Sequence, residues 1–100
     1  MRLLGVILGL LLLPLSACNG PSPRLAGTPA QKVEVDGATF NVFVSGNRAE
    51  AVRTNFEFPA TVRSVFPRAI RAMEIASDCS VPPASVTGDP AHIKARLVCA

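Results

Sequence analysis

The chain has 100 residues, 49% of them hydrophobic and 17% charged, and its ten basic and seven acidic side chains give a formal charge of +3. That length permits one small domain and no more. The positive balance is mild and no basic residues run consecutively, which argues against nucleic acid as a partner.

Met1 and Arg2 make a short charged start, and Leu3 to Leu15 is apolar apart from Gly5, Gly9 and Pro14. Thirteen residues fall short of the roughly 20 needed for a membrane helix. A charged start, a short apolar core and a small-residue exit are instead the parts of a secretory signal peptide. The exit reads Leu15, Ser16, Ala17, Cys18. These four residues resemble the lipobox of bacterial lipoproteins, in which a leucine and two small residues precede an invariant cysteine.

The resemblance covers the first 18 residues and implies lipidation of the Cys18 thiol, cleavage after residue 17 and a membrane anchor of two or three acyl chains. Each buried methylene of such a chain contributes about 0.8 kcal/mol, so several chains hold durably where one does not. Asn19 stands where an aspartate tends to retain such proteins in the inner membrane, so the resemblance points to the outer membrane, facing the periplasm. Residues 1–17 are thus expected to be removed. Without Arg2, nine basic residues face seven acidic ones in the remaining 83.

Residues 18–31 carry three prolines and two glycines with almost no periodicity. They read as a flexible tether of very roughly 20 Å, which would keep the folded domain, residues 32–100, near the membrane.

From Lys32 the pattern turns to that of strands. Val33 and Val35 alternate with polar neighbours, and Asp36-Gly37 is a strong hairpin signal because a primed turn needs positive φ. Ala38 to Ser45 follows, with Phe40, Val42 and Val44 on one face and Thr39, Asn41 and Phe43 on the other. Gly46-Asn47 makes the next turn. Arg48 to Phe56 then reads as a third strand, placing Val52, Thr54 and Phe56 opposite Ala51, Arg53 and Asn55.

After Pro59 the period changes. Val62, Val65, Phe66, Ala69, Ile70, Met73 and Ala76 recur at helical spacing. Pro67 suits a first helical turn better than an interior, which favours a helix from about Phe66 to Asp78, capped near Ser64 or Val65, over a longer kinked one. A Pro-rich loop, SVPPASVTGDPA, leads to a last strand, His92 to Cys99, with Ile93, Ala95, Leu97 and Cys99 on one face. The order β-β-β-α-β predicts an α+β domain with the helix packed on one face of a small antiparallel sheet.

With Cys18 assigned to lipid, Cys79 and Cys99 remain as an even pair in an oxidising compartment, and a disulfide between them is expected. Closing a loop of about 20 residues contributes roughly 3 kcal/mol in the chain-entropy model. A metal site would need more ligands than these and His92 supply, and a thioredoxin-like pair would be more closely spaced. No metal or cofactor is expected.

No nucleophile elbow, zinc-protease, phosphate-loop or dinucleotide motif occurs, and the lone His92 reads as a surface side chain. Arg63, Arg68 and Arg71 form a candidate cluster for anions or a partner, since forked guanidinium groups suit phosphates and carboxylates. Lipid A, peptidoglycan and another envelope protein all present such groups. The plainer reading is a solvated helix face with a weak Arg71–Glu74 pair. Phe43 and Val98 form a candidate apolar contact on the sheet face away from the helix, unless the tether or the Pro-rich loop covers Phe43. The expected function is that of an anchored, non-catalytic binding or structural module of the envelope. The alternatives are an enzyme or enzyme accessory acting on envelope material and a carrier of a small ligand.

Overall fold

The computed structural model describes residues 20–100. The strands are β1 (Gln31–Val35), β2 (Ala38–Ser45), β3 (Arg48–Arg53), β4 (Thr87–Asp89) and β5 (His92–Arg96), and one helix, α1 (Val62–Ser77), lies between β3 and β4. All neighbours pair antiparallel in the order β1-β2-β3-β5-β4. The α+β architecture expected from the sequence is the one observed.

Local chemistry sets the first two turns. Asp36 and Gly37 have φ of 47° and 83°, the paired positive values of a primed turn. Gly46 opens the next hairpin with φ 58°. With the register so fixed, Ala38, Phe40 and Val42 share a face with Ala49 and Ala51, and β5 adds Ile93 and Ala95. Helix α1 lays Val65, Ala69, Ala72 and Met73 over that face, completing the main core. Small alanines on both surfaces allow the helix to approach the sheet closely.

The helix starts earlier than the position of Pro67 suggests. Thr61 is the N-cap: its hydroxyl accepts from the Ser64 N–H at 3.1 Å, while the Ser64 hydroxyl faces the Thr61 N–H at 3.4 Å, a capping box built with serine. Pro67 therefore sits inside α1 and leaves the Arg63 carbonyl without its i+4 donor. The cap at one end and the burial of Val65, before the proline, hold the first turn in place.

Two further expectations are corrected. Strand β3 ends at Arg53 rather than Phe56, because Asn55 turns the chain off the sheet by accepting the Thr39 N–H on its side chain at 3.0 Å. Phe56 and Phe58 consequently stand in solvent, 92% and 86% exposed. The Pro-rich segment, expected as a loop, contains β4. Asp89 Oδ1 accepts the N–H groups of Ala91 and His92 at 2.7 and 3.0 Å, closing a tight β4–β5 hairpin around Pro90. Gly88 makes that pairing possible, with φ 106° and no room for a Cβ against the His92 carbonyl.

The Sγ atoms of Cys79 and Cys99 lie at bonding distance, 2.00 Å, and join the end of α1 to the chain after β5. Beside them Ser80 and Val98 exchange backbone hydrogen bonds of 2.9 and 2.8 Å. Replacing both cysteines by serine is expected to lower the unfolding free energy by about 3 kcal/mol. Urea denaturation of the variant, against the parent with and without reductant, measures the loss.

Candidate functional site

Side chains at alternate positions of β2, β3 and β5 point away from α1, and their character differs from that of the core face. Phe43 on β2, Arg48, Glu50 and Val52 on β3, and His92, Lys94 and Arg96 on β5 share this second face. Phe43 and Val52 are buried there, and what buries them is Leu25. The N-terminal segment expected as a tether is docked: a 3-10 turn at Pro23–Leu25 presses Leu25 onto Phe43 and Val52. Burying one leucine contributes roughly 1.5–3 kcal/mol, and this is the large apolar side chain available in the segment. Phe43 is therefore covered, 5% exposed, and offers no apolar contact to a partner. Val98 is 57% exposed but sits beyond β5, at the Ser80 bridge, and does not form a patch with Phe43.

Polar contacts secure the same docking. Glu50 is the buried charged side chain of the described residues, 5% exposed. Its Oε1 accepts the Ser22 N–H at 2.9 Å, its Oε2 accepts the Ser22 hydroxyl, and His92 Nε2 lies 2.6 Å from Oε1. Burial acts to raise the Glu50 pKa, but the two Ser22 hydrogen bonds and the contact with His92 outweigh it and hold the carboxyl below its ordinary value. Serine, carboxylate and histidine are thus together, but with the carboxylate in the middle. The Ser-His-Asp triad places the histidine between the other two; here the carboxylate holds both, latching the N-terminal segment to the sheet.

Next to the latch lies an open depression of about 570 Å³. Its cationic lining is Arg24 from the docked segment, Arg48 from β3, and Lys94 and Arg96 from β5. Among the described residues the ion pairs are Arg68–Glu57 and His92–Glu50, so none of these four cations has a carboxylate partner within 4.0 Å. The register places Lys94 directly across from Glu50, yet that carboxylate is engaged by Ser22 and His92. Arg48 and Arg96 face each other as a cross-strand pair, an arrangement of like charges that destabilises a sheet. The depression can receive an anion through several charge-assisted hydrogen bonds at once.

The arginines of α1 are not brought together for such a role. Arg68 holds the structure: its Nη2 donates to both Glu57 oxygens at 2.8 and 2.7 Å, its Nε to the Ser64 carbonyl at 2.9 Å and its Nη1 to the Asp36 carbonyl at 3.3 Å. The Arg68 hydrogen bond is the main reason that the Glu57 carboxyl lies below its ordinary value, against a smaller opposing effect of desolvation. Arg63 and Arg71 are exposed. Glu74 does not pair with Arg71; its Oε2 accepts the Val81 N–H at 3.1 Å. Cys18 lies outside the described residues, and Cys79 and Cys99 form the bridge already described.

Sequence reasoning assigns no site role to Arg24, Arg48, Glu50, Lys94 or Arg96. Alternation in β3 does put Arg48 and Glu50 on one face. The signal absent from the sequence is the pairing of β3 with β5, which brings Arg48 and Arg96 side by side although they are 48 residues apart. Among the described residues no group of acidic, histidine or cysteine side chains could hold a metal ion, and no helix is long and apolar enough to cross a membrane. No protein-family model, curated protein or solved structure matches the chain.

Two outcomes follow from this geometry. Glu50→Gln is expected to cost about 1–3 kcal/mol at pH 7 by weakening the latch. Because the folded-state pKa of Glu50 is lowered from 4.5, its contribution is complete well above that value and is lost as pH falls through the lower folded value. Urea midpoints of parent and variant should therefore converge as the pH drops below 4.5. Arg96→Gln, in contrast, is expected to stabilise the domain by roughly 0.2–1 kcal/mol through relief of the Arg48–Arg96 repulsion. That gain should shrink with added salt, as thermal melts in low and high sodium chloride would reveal.

Proposed function

We propose that this chain is a lipid-anchored protein of the bacterial envelope, held through Cys18, whose folded domain is a non-catalytic binding module for an anionic component. The observation that carries the binding role is the depression lined by Arg24, Arg48, Lys94 and Arg96, four cations with no carboxylate partner among the described residues. Keeping like charges opposed on neighbouring strands costs stability, which is reasonable where an outside anion offsets it. The anchor rests on the lipobox residues Leu15 to Cys18. A disulfide between Cys79 and Cys99 fits a chain exported to an oxidising compartment.

A non-catalytic role agrees with the chemistry of the described residues. Ser22, Glu50 and His92 are engaged with one another in holding the N-terminal segment and the start of β5 to β3. The outer membrane, facing the periplasm, is the proposed location, from Asn19 following the modified cysteine.

Intact-mass spectrometry of the protein purified from its native membrane tests the anchor. The expected mass begins at Cys18, carries two or three acyl chains and rises by two hydrogens on reduction. Cys18→Ser should abolish the acyl mass. An unacylated chain in the parent would overturn the anchored reading, and free thiols at Cys79 and Cys99 would remove the argument from compartment.

A further inference from the structure

Docking of the N-terminal segment has a geometric consequence for an anchored chain. Ser22 is fixed to Glu50 and also lines the depression, and Cys18 precedes it by four residues. Four residues of fully extended chain reach at most about 14 Å. Acyl chains on Cys18 would insert into the hydrocarbon and leave the cysteine itself at the bilayer interface, so the wall of the depression formed by Ser22 and Arg24 would stand within one short span of the headgroups. The remaining cations, Arg48, Lys94 and Arg96, share that sheet face. Basic side chains so close to a membrane are drawn to anionic headgroups, and guanidinium forks match phosphate oxygens.

We propose that the depression lined by Arg24, Arg48, Lys94 and Arg96 binds the phosphate of an anionic lipid headgroup in the same membrane that holds the anchor. This inference rests on the anchored reading. It assigns the depression a lipid ligand and the domain a fixed pose, with the second sheet face down and α1 away from the bilayer. Glu50 does not block the site, because Ser22 and His92 already occupy its oxygens. A phosphate seated between Arg48 and Arg96 also relieves their mutual repulsion, so the anion is favoured by the strain its absence leaves.

The chain has two lysines, Lys94 in the depression and Lys32 on β1, which gives a residue-level test. Full mature chain purified from its native membrane is reconstituted in vesicles of phosphatidylcholine alone or with one-third phosphatidylglycerol. Each sample is treated with an amine acetylating reagent, and the modified fraction of Lys94 is read by peptide mass spectrometry against the same peptide from detergent-solubilised protein, because Lys32 lies on the same sheet face and is no independent reference. Lys94 is expected to be protected several-fold more in the anionic vesicles, with the difference lost in Arg48→Gln/Arg96→Gln and reduced in Arg24→Gln, which leaves the strands untouched. A third arm adds inorganic phosphate to the phosphatidylcholine sample. Equal protection there would overturn the lipid as the source of the phosphate.

Equal Lys94 labelling in both vesicle types would overturn headgroup binding. If the same preparation carries the acyl mass on Cys18, that failure leaves the anchored reading standing. An unacylated mass is the separate failure, of the anchor itself, and it would overturn the membrane pose along with it.

Discussion

The second face of this sheet depends on one buried carboxylate. Glu50 lies midway along β3, a central strand, where a charge without partners would be costly to bury. Two hydrogen bonds from Ser22 and a contact with His92 offset that cost, and all three come from outside β3. Glu50 thereby ties the N-terminal segment to the sheet and His92 at the start of β5 to the same point. Fixing Ser22 three residues earlier supports the packing of Leu25 on Phe43 and Val52. Without that tie the second face would expose an apolar pair next to a cationic depression.

The two faces of the sheet are therefore built by different means. The helix face is a conventional core in which Phe40, Val42, Ile93 and Met73, at positions that local periodicity marks, are fully buried where the helix meets the sheet. The second face combines a small apolar cluster with a polar latch, and its parts come from the N-terminal segment, β2, β3 and β5. A small domain with so limited a core gains from covalent closure, and the Cys79–Cys99 bridge supplies it between the end of α1 and the chain after β5.

What could be read from the sequence follows this division. Strands β1 and β2 were legible because Asp36-Gly37 and Gly46-Asn47 fix turns locally, and β5 because Ile93, Ala95 and Leu97 alternate. The helix start was misjudged because Pro67 carries a strong local signal, whereas the Thr61–Ser64 box uses serine in place of the usual glutamate or glutamine. Strand β4 was missed because Thr87-Gly88-Asp89 has no apolar alternation; its three residues are all exposed, and Asp89-Pro90 looks like turn chemistry, as indeed it is. The docking of Leu25 was least legible. Proline and glycine around it lower local order, and the interaction that overrides them involves Phe43, Val52 and Glu50, all well removed in sequence.

Docking changes the mechanical meaning of the N-terminal segment. A free tether of 14 residues would let the domain sample every orientation above a membrane, and no face would be distinguished. With Ser22 and Leu25 seated on the sheet, the span from residue 18 to the domain shrinks to four residues. The face that emerges beside it is the one carrying Arg24, Arg48, Lys94 and Arg96. Under the proposed anchor at Cys18, orientation would follow from chain connectivity, and the electrostatic attraction of the four cations for an anionic surface would act in the same sense. The exposed aromatic side chains Phe56 and Phe58 lie in the β3–α1 connection, next to the Arg53 end of β3, whereas Arg48 marks the depression at the other end of that strand. In the proposed pose the charged and apolar surfaces are thus separated along β3, with the charged one beside the anchor.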